Sequence, residues 1–218
     1  MDKTVLVTGA TGFIGSAVVT ALLKSGWVVI QAARGNFNRA KKACPVVYLD
    51  LNNPSSILNL ESELRCGAII HLGAKVAMSQ VAKGGLYEEN ILSTGCIARL
   101  AKAWEAHLIY ASTAMVHGER TQKIDQKSSI VLDTDYAKTK WLGEELLRES
   151  SVRNCIFRIG GVFGSQQLSH LSLNTAIFHA INGVIPSQCG SGIALRNYIY
   201  VKDVALAIVS ALESRMEG

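Results

Sequence analysis

The sequence is short of several things, and each shortage removes a class of protein. Only three prolines occur in 218 residues, and no stretch is of low complexity, which excludes a Pro-rich linker or a disordered chain. No apolar run reaches the roughly 20 residues that span a bilayer. Cys44, Cys66, Cys96, Cys155 and Cys189 are odd in number, and no two stand at CxxC spacing. They read as small buried hydrophobes in a reducing compartment, not as a disulfide framework. The five histidines form no HExxH pairing, so no metal site is expected. KTVLVTG follows the N-terminus without a charged leader and apolar segment, so a cytoplasmic location is expected. Basic residues are scattered instead of clustered with aromatics, so neither nucleic acid nor membrane is an expected partner. The net charge of +5 fits an ordinary surface or a preference for anionic small molecules.

What is present is a core. Hydrophobic residues make up 49% of the chain. Short β-branched runs alternate with helical patterns: KTVLVT (3–8), WVVIQAA (27–33), CPVVYLD (44–50), GAIIHLGA (67–74), HLIYAST (107–113) and NCIFRIG (154–160). Helical spacing fills 13–26, about 53–65, 84–105 and 134–150 between them. That alternation predicts an α/β fold with a parallel sheet and helices on both faces. The last third is less regular, with a strand at 196–201 and a closing helix at 202–215.

VTGATGFIG joins the first strand to the first helix and places Gly9, Gly12 and Gly15 three apart. A helix N-terminus at that point favours a pyrophosphate. Gly9 permits the turn, Gly12 admits phosphate to the backbone, and Gly15 lets helix and strand approach. The spacing is GxxGxxG instead of GxGxxG. After the second strand, where an acid reads the ribose of NAD, the chain has QAARGNFNR and no carboxylate. Arg34 and Arg39 stand there, so NADP is expected over NAD.

Tyr136 and Lys140 in DYAKTKW stand at i and i+4, on one face of a helix. A nearby ammonium lowers a phenol's pKa and prepares it for proton exchange near neutral pH. Tyr198 and Lys202 repeat the spacing, but in an extended context they lie about 13 Å apart at about 3.3 Å per residue. Ser112 and Thr113 end the fifth strand at the carboxyl edge of the sheet, where ligands of such sheets bind.

Together these motifs resemble the extended short-chain dehydrogenase/reductases of the NAD-dependent epimerase/dehydratase family. The resemblance implies a Rossmann-type doubly wound parallel sheet over residues 1–160. It also implies a small, shortened substrate-side segment over 161–218, partly packed back on the first. TGATGFIG matches the family's cofactor loop, with Thr11, Phe13 and Ile14 joining the three glycines. Asp50 and Leu51 in YLDLNN match the adenine contact, and Leu72, Gly73 and Ala74 match the HLAA stretch beside the cofactor. The resemblance makes Thr113, Tyr136 and Lys140 catalytic, with Asn90 supporting them and Lys140 also holding the nicotinamide ribose. Ser112 and Arg196 fall on the substrate side, Arg196 where relatives bind a diphosphate. Ala114 and Met115 replace the Asp-Glu pair of the 4,6-dehydratases, and Gly161 replaces a usual Asn. The implied activity is hydride transfer at a hydroxyl or keto carbon of a nucleotide-diphosphate sugar, by an epimerase or keto-reductase that forms a homodimer. A reductase of a small carbonyl compound, or a non-catalytic NAD(P)-binding module, are the alternatives.

Overall fold

A computed structural model of the chain describes residues 3–35, 44–76, 85–118, 123–125, 127–164, 172–187, 190–191 and 197–218. Six strands form one parallel sheet: β1 (Thr4–Thr8), β2 (Val28–Ala33), β3 (Val46–Tyr48), β4 (Ala68–His71), β5 (His107–Thr113) and β6 (Asn154–Ile159). Their order is β3-β2-β1-β4-β5-β6, which reverses direction between β1 and β4. Ligands of open α/β sheets bind at such a reversal, beyond the carboxyl ends of the strands.

Side chains alternate between the two faces, as the period of a strand requires. Val5, Val7, Val29, Ala68, Ile70 and Ile109 pack on α1 (Phe13–Lys24) and α6 (Val201–Glu213). Leu6, Ile30, Ile69, Leu108 and Tyr110 pack on the other face, against α2 (Pro54–Glu63), α3 (Leu86–Trp104) and α4 (Asp135–Glu149). Each large aliphatic buried in this way contributes about 1.5–3 kcal/mol. Two helix starts are fixed by side chains that sequence alone supplies. Asn53 accepts the Ser55 N–H at 3.1 Å to begin α2, and Thr134 accepts the Ala137 N–H at 3.1 Å to begin α4. Each cap is worth about 1 kcal/mol.

The irregular last third holds two strands, β7 (Gly161–Phe163) and β8 (Tyr198–Tyr200), paired parallel as a separate small sheet. A helix, α5 (Ser172–Ile181), also lies there. Neither β7 nor α5 is expected from the sequence, because three residues carry too little pattern and α5 is flanked by polar, aperiodic segments. Tyr198 starts β8 while Lys202 lies on α6, so the second YxxxK does not share one helix. No described helix is long and apolar enough to cross a membrane.

Candidate active site

The β1–α1 loop is shaped by close backbone approach. Gly9 has φ +66°, and a side chain there would meet the Gly73 nitrogen at 2.8 Å. A Cβ on Gly15 would stand 2.0 Å from the Gly9 carbonyl oxygen. Gly12 N–H donates to Gly9 O at 3.0 Å, which closes the turn. Helix α1 then begins after Gly12 with no side-chain cap, unlike α2 and α4, and with no acid in its first turn, unlike α4. Its first amides and positive dipole end are left for an anion, which fits the diphosphate of a dinucleotide.

The floor of the loop is tied to β4. Gly73 N–H donates to Thr8 Oγ1 at 3.2 Å, and Thr8 Oγ1 lies 2.7 Å from His71 Nδ1. Thr8 Oγ1 thereby ties the Gly73 backbone to the His71 ring at the end of β4. Burial, helped by the nearby Lys140 charge, pushes the His71 pKa down to about 3, and the ring is neutral.

A cleft of about 420 Å³ opens above this floor. It runs from Gly9, Thr11 and Gly12, past Arg34 and Leu51, to Leu72, Gly73, Ala74 and Asn90. Asn90 brackets one residue's backbone: its Oδ1 accepts from Lys75 N at 2.8 Å, and its Nδ2 donates to Lys75 O at 3.0 Å. The same Nδ2 reaches Thr139 Oγ1 at 3.0 Å, which joins α3 to α4 beside Lys140. Lys75 and Glu89 also line the cleft and pair at 2.6 Å. Sequence reasoning passes over both, although Lys75 directly follows the HLGA stretch and Glu89 directly precedes Asn90.

On the other side of Asn90, α4 carries a column of buried polar groups. Lys140 is 2% exposed, and its ammonium lies 4.5 Å from the centre of the Tyr110 ring. Burial lowers the Lys140 pKa to about 7, against an upward pull from Glu144. One turn further, Glu144 is fully buried and accepts from Arg158 at 2.7 Å, from Arg148 at 2.6 Å and from Ser112 Oγ. Burial pushes the Glu144 carboxyl up, but hydrogen bonds from Arg158, Ser112 and Arg148 outweigh it and the net shift is down. The Arg158 guanidinium also lies 3.2 Å from His117 Nε2. Glu144 gives a signal in the sequence, since it continues the Tyr136–Lys140 spacing by one more turn.

Tyr136 is half-buried on this helix, and burial raises its phenol above the usual value. The sequence predicts the opposite direction, with Lys140 lowering it. The reason for the difference is that Tyr136 is itself buried, which penalises the phenolate, while the Lys140 ammonium lies on Tyr110. Thr113 is 7% exposed, and its Oγ1 accepts from Met115 N at 3.2 Å. That bond starts a short 3-10 turn over Ala114–His117, against which α4 packs.

A model of the NAD dependent epimerase/dehydratase family matches residues 5–218. The chain belongs to this family. A putative UDP-arabinose 4-epimerase 4 from Arabidopsis thaliana is 28% identical over 249 residues, covering 96% of this chain and 57% of the relative. A putative UDP-glucose 4-epimerase from Methanocaldococcus jannaschii is 26% identical, covering 98% of this chain and 74% of the relative. The chain thus spans less than two thirds of the length of the plant relatives it matches. The crystal structure of a UDP-glucose 4-epimerase from Thermus thermophilus in complex with NAD superposes with a TM-score of 0.84 at 26% identity. The match covers 99% of this chain and 76% of that one.

Within this epimerase-family fold the predicted residues do not all meet in one place. Gly9, Thr11, Gly12, Arg34, Leu51, Leu72, Gly73, Ala74 and Asn90 line the cleft. Phe13 and Ile14 pack against the α1–α6 core, Gly15 lies behind Gly9, and Asp50 accepts from Asn52 N at 3.1 Å. Thr113, Tyr136 and Lys140 stand at the β5–α4 side and are not among the residues lining the cleft. Ser112 is 4% exposed with its hydroxyl committed to Glu144. Arg39 and Arg196 lie outside the described residues.

Proposed function

We propose that this chain is a nicotinamide-dinucleotide-dependent epimerase or keto-reductase acting on a nucleotide-diphosphate sugar. The observation that carries the reading is Asn90. Its Oδ1 and Nδ2 both hold the Lys75 backbone in the cleft, and the same Nδ2 also donates to Thr139 beside Lys140. A single buried side chain thus holds a dinucleotide cleft against the helix bearing Tyr136 and Lys140. The UDP-sugar 4-epimerases among its relatives, and the NAD in the Thermus structure, support the same reading.

Gly9 to Gly12 and the start of α1 would hold the diphosphate, and Leu51 would lie along the adenine. The oxidised dinucleotide, when bound, supplies a hydride acceptor and a positively charged ring. Tyr136 would take the sugar hydroxyl proton in oxidation, as the phenolate that the neighbouring positive ring favours, and return it in reduction. Thr113 Oγ1 already accepts from Met115, so its own O–H donates to the reacting sugar oxygen. Lys140, four residues on from Tyr136 along α4, would hold the nicotinamide ribose. Neighbouring helices α3 and α4 leave Leu92 and Leu142 exposed, which supports pairing of two copies through this face.

The test is a thermal-shift panel with saturating NAD or NADP, followed by UDP-, dTDP- and GDP-sugars. A shift from a dinucleotide, and a further one from one nucleotide sugar, is expected. Stabilisation by the sugar nucleotide without any response to either dinucleotide overturns the reading.

A further inference from the structure

We propose that Glu89 selects the cofactor, favouring NAD over its 2′-phosphorylated form. This rests on the reading of the cleft as a dinucleotide site. The sequence argument for NADP is that no acid follows β2 and that Arg34 stands in its place. The structure supplies a carboxylate from elsewhere. Glu89, in the first turn of α3, lines the same cleft as Arg34, and its Oε2 lies 3.7 Å from the Arg34 guanidinium. Its Oε1 is held by Lys75 Nζ at 2.6 Å.

Arg34 is the first residue beyond β2, the position from which the adenosine ribose of a doubly wound sheet is read. A ribose 2′-hydroxyl placed there can donate to Glu89 Oε2. A 2′-phosphate gains Arg34 but brings about two negative charges against a carboxylate. Glu89 cannot withdraw without losing its bond to Lys75. Its side chain is 28% exposed and that of Arg34 is 65%, so the carboxylate is the better fixed of the two. An acid in the first turn of α3 also complements the helix dipole. Glu88 does this equally, and it does not line the cleft.

The experiment is direct titration of NAD and NADP by calorimetry, backed by thermal shift, on wild type, Glu89→Gln, Glu88→Gln and Glu89→Gln with Arg34→Ala. Wild type is expected to bind NAD more tightly. Glu89→Gln should raise the ratio of NADP to NAD affinity by on the order of tenfold, a change of about 1.4 kcal/mol. Arg34→Ala should cancel that gain, and Glu88→Gln should leave the ratio alone. Glu89→Asp keeps the charge and should keep the NAD preference, which also serves if Glu89→Gln does not fold. An unchanged ratio in Glu89→Gln, a wild type that prefers NADP, or an Asp variant that behaves like Gln overturns the proposal while leaving the dinucleotide reading in place. A wild type that binds neither dinucleotide overturns both.

Discussion

The β1–α1 side of the site is shaped by what side chains leave out, and the α4 side by charges that the interior takes in. Around Gly9 and Gly15 the backbone comes so near itself and β4 that one added carbon would overlap it. Around Lys140 and Glu144 the space is filled by ionisable groups that hold one another below β5. The first construction is steric and indifferent to pH. The second is electrostatic and depends on it. A cofactor that must be held in every redox state suits the rigid side, and a group that must give and take a proton suits the titratable one.

The largest effect that would separate the two sides is on turnover. Tyr136→Phe removes the proposed proton carrier and leaves the loop untouched. Activity on the best nucleotide sugar of the panel should fall by about 10²–10⁴-fold, the range for loss of an acid–base group. Dinucleotide affinity should change by less than about twofold. Steady-state rates and a cofactor titration on the same preparation measure both. Undiminished turnover would remove Tyr136 from the mechanism.

On the steric side, Gly15→Ala forces its methyl against the Gly9 carbonyl, so the loop must shift. Overpacking of that kind costs about 1–3 kcal/mol or more. Urea unfolding should show it, together with a loss of dinucleotide-induced stabilisation. On the charged side, Glu144→Gln leaves Arg158 with a neutral partner in the interior. Breaking a fully buried pair costs about 3–5 kcal/mol. Arg158 and Arg148 keep 22% and 42% of their side-chain exposure, so a loss nearer about 2 kcal/mol is expected. Dinucleotide binding should persist in this variant. If it vanished while the fold held, the two sides would not be separable as described.

The sheet is legible in the sequence because each strand is a short β-branched run and each helix carries its own period. The glycine loop is legible because backbone constraints act within a few residues of chain. The pair of Arg34 and Glu89 is not, since it joins the end of β2 to the start of α3, and no local pattern links them. The direction of the Tyr136 shift escapes the sequence for a related reason. Spacing places Lys140 one turn away, but only packing shows that Tyr110 takes its ammonium and that Tyr136 is itself buried.

That burial gives the smallest and most specific prediction. The folded pKa of Lys140 is about 7, against an ordinary 10.5. Between those values the unfolded chain holds a proton that the folded chain has released, so stability rises with pH across this window. Below about 7 both states are protonated and this contribution is flat. Glu144 behaves in the opposite sense: its stabilisation is present above the ordinary carboxylate range and is lost as pH falls through its lowered folded value. Lys140→Met removes the alkaline rise and leaves the acid loss. Urea midpoints for wild type and variant, taken at intervals from about pH 7 to about pH 10, should therefore converge as pH increases. The variant is the more stable at the neutral end, and its lead shrinks by up to about 1.4 kcal/mol per pH unit in the middle of the window. Parallel curves would mean that Lys140 keeps its full charge in the folded protein. In that case it could lower the Tyr136 phenol after all, and the α4 side would respond to pH only through Glu144, on the acid side.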